Sequence, residues 1–142
     1  MNWKAEAIEK LESYQAKKLS LEITAKEIDR LTLQIAEKYR VARRLKGANL
    51  KVEDAAPLDD IARRAELAFE SENTRRWVET VDNALSALSD DERLILDRFY
   101  INREKDSVGL LCEELCLERS RVYQLKDKAV RHFTLILYGV SK

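Results

Sequence analysis

Apolar residues in the first third of the chain recur with a helical period. Leu11, Tyr14, Leu21, Ala25, Ile28, Ile35, Tyr39 and Ala42 follow alternating steps of three and four. Only Lys18 and Thr32 interrupt the seam. Such a heptad-like stripe predicts one helix over about residues 2–44, with Asn2 as its N-cap. Ile8, Leu31 and Leu33 lie off the strict seam, so the buried stripe is expected to be wider than two positions per heptad. A helix of that length spans about 60 Å and needs a partner helix to bury its face. Thr24 is the point where it is most prone to break.

Gly47 and Asn49 are stop signals, and the chain restarts through Asp54 or Ala56 into Pro57, at an expected first helical position. A second helix is predicted over about 57–88. Asp59 and Asp60 suit its positive end, and Ile61, Ala65, Ala68, Val78, Val81, Leu85 and Leu88 form its apolar face. It can fold back on the first helix or pair with another subunit. Ser89-Asp-Asp-Glu92 reads as a capping box, opening a short helix with Leu94, Ile95, Phe99 and Tyr100 inside. After a polar connection over 101–106, Ser107 is a candidate cap for a helix with Val108, Leu111, Cys112 and Leu115 on one face. A three-residue turn follows. Glu118 or Ser120 then starts a final helix with Val122, Leu125, Ala129 and Phe133 as its inner stripe. Leu135 to Tyr138 gives that helix an apolar end, expected to dock on the long helices or on a second subunit. No period-two alternation is sustained anywhere, so the fold class is all-α: a long helical hairpin or coiled-coil arm, then a helix-turn-helix.

Composition agrees with this pattern. The 142 residues include three Gly and one Pro, and 37% are charged, which favours long amphipathic helices. No apolar run approaches the roughly 20 residues of a membrane span, and the N-terminus has no apolar signal core. A cytoplasmic protein without membrane contact is therefore expected. Formal net charge is zero, but it is unevenly distributed. From Arg119 onward six cations oppose the single anion Asp127, while residues 89–118 are mainly acidic. A local basic stripe can bind phosphates on a neutral chain.

Candidate chemistry narrows quickly. There is no phosphate-cradling Gly loop and no Ser-His-Asp set, so no catalytic residue is expected. Asp90, Asp91 and Glu92 are explained by the helix cap. Cys112 and Cys116, with His132 the one histidine, cannot complete a four-ligand zinc site. No metal and no cofactor are expected. Arg40, Arg43, Arg44 and Lys46 suit a helix C-terminus, with a second phosphate contact as the alternative. Arg63-Arg64 and Arg75-Arg76 read as ion-pair partners, and Trp3 and Trp77 as packing anchors.

The remaining signal is the helix-turn-helix. Arg119, Ser120, Arg121, Tyr123, Gln124, Lys126 and Lys128 face outward or sideways from the inner stripe. Arg can fork onto guanine, Gln can pair with adenine, and Lys or Tyr can reach phosphates. The segments Leu88 to Tyr100, Ser107 to Leu115 and Arg119 to Val130 resemble region four of the bacterial sigma factors. That resemblance covers roughly residues 87–138. It implies DNA contacts at Arg119, Ser120, Arg121, Tyr123 and Gln124. Two positions depart from the family pattern. Cys116 stands where Gly is usual, so it is expected to take a left-handed or otherwise strained backbone. Leu117-Glu118 replaces a small polar cap, and Glu118 would repel a nearby phosphate. With its long N-terminal arm, the layout resembles small phage transcriptional regulators of the ArpU and RinA types.

The sequence thus divides into an arm over 1–86 and a DNA-binding region over 87–142. The expected role is a sequence-specific transcriptional regulator of phage or prophage type. Its expected partners are double-stranded DNA, a second copy through the arm, and RNA polymerase. Two alternatives stay open: a DNA-packaging subunit like a small terminase, and a helical scaffold that binds only proteins.

Overall fold

The computed structural model describes residues 1–45 and 57–140. Every regular element among them is helical, so the chain is all-α. The elements are α1 (Trp3–Leu45), α2 (Leu58–Ser86), α3 (Asp90–Leu96), a π-helical turn (Asp97–Ile101), α4 (Ser107–Leu115) and α5 (Arg119–Tyr138). The expected stop signals Gly47 and Asn49, the lead-in at Asp54 or Ala56, and Lys46 of the basic cluster lie outside the described residues. No helix among the described residues is long and apolar enough to cross a membrane. The chain packs as two units, one of residues 1–17 with 76–142, the other of residues 18–75.

In the unit 18–75, α1 and α2 run antiparallel. Thr24 Oγ1 lies 3.4 Å from Ser71 Oγ, Arg64 donates to Thr32 Oγ1 at 3.4 Å, and Lys38 reaches Asp60 at 2.6 Å. The hydrogen bonds from Lys38 and Gln34 hold the Asp60 carboxyl below the usual carboxylate range. Helix α1 runs unbroken through Thr24, whose hydroxyl donates to the Ser20 carbonyl at 2.8 Å. The expected seam needs correction. Leu31, Ile35 and Ala42 are buried, whereas Ala25 and Tyr39 are exposed. The seven-residue repeat of Leu21, Ile28, Ile35 and Ala42 stands, but its second position lies three residues on, at Leu31, and not four residues on, at Ala25 and Tyr39. A helix can bury either the i+3 or the i+4 neighbour of a seam residue, so packing against the facing helix, and not the seven-residue period, decides which of the two is covered.

In the unit 1–17 with 76–142, the Asn2 side chain caps α1 by accepting from Ala5 N at 3.1 Å. Ala7, Leu11, Val81, Ala84 and Leu88 are buried. Tyr14 hydrogen-bonds the Asp82 carboxylate; burial and that bond push its phenol up to about 12. Trp3 packs on Tyr138 with ring centroids 4.8 Å apart, so the end of α5 docks on α1 as expected, though Leu135 and Ile136 remain exposed. Lys10 and Lys17 lie 5.7 and 5.5 Å from the centre of the Trp77 ring, a cation–π arrangement that uses Trp77 as an anchor.

The capping box forms as the sequence predicts. Glu92 N donates to Ser89 Oγ at 3.3 Å, and Ser89 N donates back to Glu92 Oε1 at 3.2 Å. The second Glu92 oxygen meets His132 Nδ1 of α5 at 2.8 Å. Burial pushes the Glu92 carboxyl up, but the His132 and Ser89 contacts outweigh it and leave the carboxyl below its ordinary range. A carboxyl depressed in the folded state contributes stability above its unfolded pKa, and that stability is lost as pH falls through the acid range. Glu92→Gln is therefore expected to flatten the acid limb of the stability profile. Urea midpoints measured from neutral pH downward check this, and parallel profiles for the two proteins would refute it.

Helices α3, α4 and α5 share one core. Ile95, Leu111 and Val122 are buried to 1% exposure or less, one from each helix. Leu94, Phe99, Val108, Cys112, Leu115, Leu117 and Leu125 close around them. Phe133 and Ala129 continue the buried face of α5. The expected cap at Ser107 is corrected by one residue. Asp106 holds the N-cap position without a side-chain bond. The Ser107 hydroxyl is occupied in closing the preceding turn, accepting from Glu104 N at 2.8 Å and donating to Glu104 O at 3.0 Å.

Candidate nucleic-acid interface

The turn between α4 and α5 sets the direction of the final helix. Cys116 sits at φ 56 and ψ 45, the left-handed conformation expected at a position where the resembled pattern carries Gly. Its N–H and that of Leu117 both donate to the Cys112 carbonyl, the second at 3.1 Å. These bonds close the last turn of α4 and satisfy an orphan carbonyl. A side chain in this conformation costs roughly 1–2 kcal/mol, partly offset by the unfolded-state freedom that Gly would add. Cys116→Gly is thus expected to stabilise the fold by about 0.5–1 kcal/mol. A rise in thermal midpoint measures it; an unchanged or lower midpoint would contradict the strain argument.

Glu118 occupies the N-cap of α5 in an extended conformation, but its side chain makes no capping bond. The helix then presents two faces. Val122, Ala129, Val130, Phe133 and Thr134 are buried. Arg119, Ser120, Arg121, Tyr123, Gln124 and Lys128 are exposed. Arg121 Nη1 donates to Gln124 Oε1 at 3.2 Å, so the two side chains suited to base edges stand together on the outer face. The Tyr123 ring is 44% exposed and meets Phe99 edge-on at 5.8 Å.

Lys126 is placed differently from the other six. Its side chain is 22% exposed, pairs with Asp127 at 2.8 Å and lies 5.8 Å from the Phe99 ring centre. Burial pulls its ammonium down, but Asp127 and the Tyr100 phenol outweigh this and hold it above the ordinary lysine value. Lys126 therefore belongs to the flank of the helix rather than its crest.

The sequence reading missed a group of cations that the turn after α3 brings beside α5. The π-helical turn closes with Asn102 N donating to Asp97 O at 2.7 Å. Arg98, Arg103 and Lys105 then line the same cleft as Arg119 and Tyr123. The only sequence signal for them was three cations within eight residues of an acidic segment. The exposed side of α5 can thus offer hydrogen-bond donors to base edges and charge to phosphates. No family model, no curated protein and no solved structure matches this chain.

Proposed function

We propose that this chain is a sequence-specific, double-stranded-DNA-binding transcriptional regulator of phage or prophage type. In this reading α5 enters the major groove, with Arg121 and Gln124 on base edges and Arg119, Ser120, Tyr123 and Lys128 on sugar and phosphate. Lys126 supports the flank. The observation that carries the reading is the division of α5: an inner stripe locked into the three-helix core, and an outer crest of exposed donors with Arg121 beside Gln124. A rigid helix carrying a few donors at fixed spacing is what direct readout of base pairs requires. The proposal includes a cytoplasmic setting, self-association through the arm of residues 1–86, and contact with RNA polymerase.

Selection of duplexes from a random pool by the intact protein tests the reading. A single or two-fold repeated motif is the expected result. A pool that stays random through repeated rounds would overturn sequence-specific recognition.

A further inference from the structure

We propose that the cleft between the 98–106 segment and the start of α5 is a phosphate-binding site, separate from the base-reading crest. The inference deepens the DNA-binding reading, because a backbone phosphate beside the groove is one source of its ligand. The cleft encloses about 410 Å³. Arg98, Arg103, Lys105 and Arg119 line it from three parts of the chain: the π-helical turn, the following loop and the first residue of α5. Two carboxylates, Glu104 and Asp106, share the lining, so the local balance favours an anion. The Asp106 carboxylate lies against the first turn of α4, where a Cβ on Gly109 would come within 2.5 Å of it.

The cations are not spent on neighbours. The side chains of Arg103, Lys105 and Arg119 form no hydrogen bond or ion pair with a described residue. Arg98 is the exception, with Nη2 on Glu114 at 3.1 Å. An anion in the cleft supplies acceptors of the right charge to the guanidinium and ammonium groups that line it. The start of α5, a helix of 20 residues without a side-chain cap, adds its positive end to the same wall. Phe99 and Tyr123 give the cleft an aromatic side on which a sugar or base attached to the phosphate can rest.

Two sources carry this chemistry: the backbone of bound duplex DNA, and a free nucleotide. The double substitution Arg103→Ala with Lys105→Ala removes two exposed cations without touching the core, and circular dichroism checks the fold. Duplex affinity is measured against salt by fluorescence anisotropy, and ATP is titrated separately while the amide NMR signals of residues 103–107 are followed. For a backbone phosphate, the double variant is expected to bind duplex about tenfold more weakly and to lose roughly two from the slope of log affinity against log salt, with the selected motif unchanged. Glu104→Gln is expected to strengthen binding. For a free nucleotide, ATP shifts the cleft amides in the wild type and not in the double variant. Either pattern supports the site and names its source. If duplex binding and its salt slope are unaltered and ATP shifts nothing, the proposal is overturned. Should the wild type bind no duplex at all, the DNA reading fails by itself, and the ATP titration alone decides the cleft.

Discussion

Phe133→Ala is expected to destabilise the protein by about 3–5 kcal/mol, enough to leave much of it unfolded at growth temperatures. The Phe133 side chain is fully buried, on the opposite side of α5 from the exposed crest. Truncation removes its transfer free energy and leaves a cavity where neighbouring helices cannot fully collapse. The adjoining turn shows how closely the site is packed: Val130 and Thr134 are also buried, and the Thr134 hydroxyl is satisfied by the Val130 carbonyl at 2.6 Å. Urea unfolding gives the loss, and a DNA titration at a temperature where the variant is folded separates stability from recognition. A loss below about 1 kcal/mol would mean that Phe133 is a surface residue and that the inner stripe of α5 has been assigned to the wrong side.

The second large effect concerns recognition. Arg121→Ala should weaken binding to the selected site by about 1–3 kcal/mol, or roughly 5- to 150-fold, and relax preference at one base pair. Arg121 is exposed and outside the core, so its loss should leave stability within about 0.5 kcal/mol. Its hydrogen bond to Gln124 makes a further statement possible. Either the pair parts, so that each side chain reads its own base, or it stays together and presents a shared set of donors. A double-mutant cycle with Gln124→Ala distinguishes the two. Additive losses indicate separate readers, and a coupling above about 0.5 kcal/mol indicates a joint one. If neither substitution changes the selected sequence, α5 does not read the groove.

Local rules were the most readable part of the chain. Ser89 and Glu92 form a capping box because both partners lie within one turn, where tertiary packing has little say. The inner residues Val122, Ala129 and Phe133 were legible because α5 has a clear apolar stripe, and the left-handed turn at Cys116 because the pattern that this segment resembles carries Gly there. Longer-range outcomes were harder to read. Ala25 and Tyr39 keep the seven-residue repeat as well as Leu31 does, and only packing against the facing helix covers the i+3 neighbour of the seam and leaves the i+4 neighbour exposed. Ser107 looked like a cap by type and position, but its hydroxyl was taken by Glu104. Lys126 was grouped with the outward cations because helix position alone does not show that Phe99, from another helix, lies underneath it. The cleft cations were missed for a related reason. Arg98, Arg103 and Lys105 sit in an acidic stretch, and only the π-helical turn and the loop after it bring them beside Arg119.

That turn has a consequence of its own. A π-helical turn is an α-helix carrying one extra residue, and each residue of an α-helix advances the chain by about 100°. Its five residues therefore set the direction in which the chain leaves the helix that begins with α3. Deleting Ile101 would turn that exit by about 100° and carry the start of the 102–106 loop, with Arg103 and Lys105, to another side, while the core of Ile95, Leu111 and Val122 still holds α4 and α5 against α3. Residue count at this place, rather than residue type, decides where the loop after α3 begins.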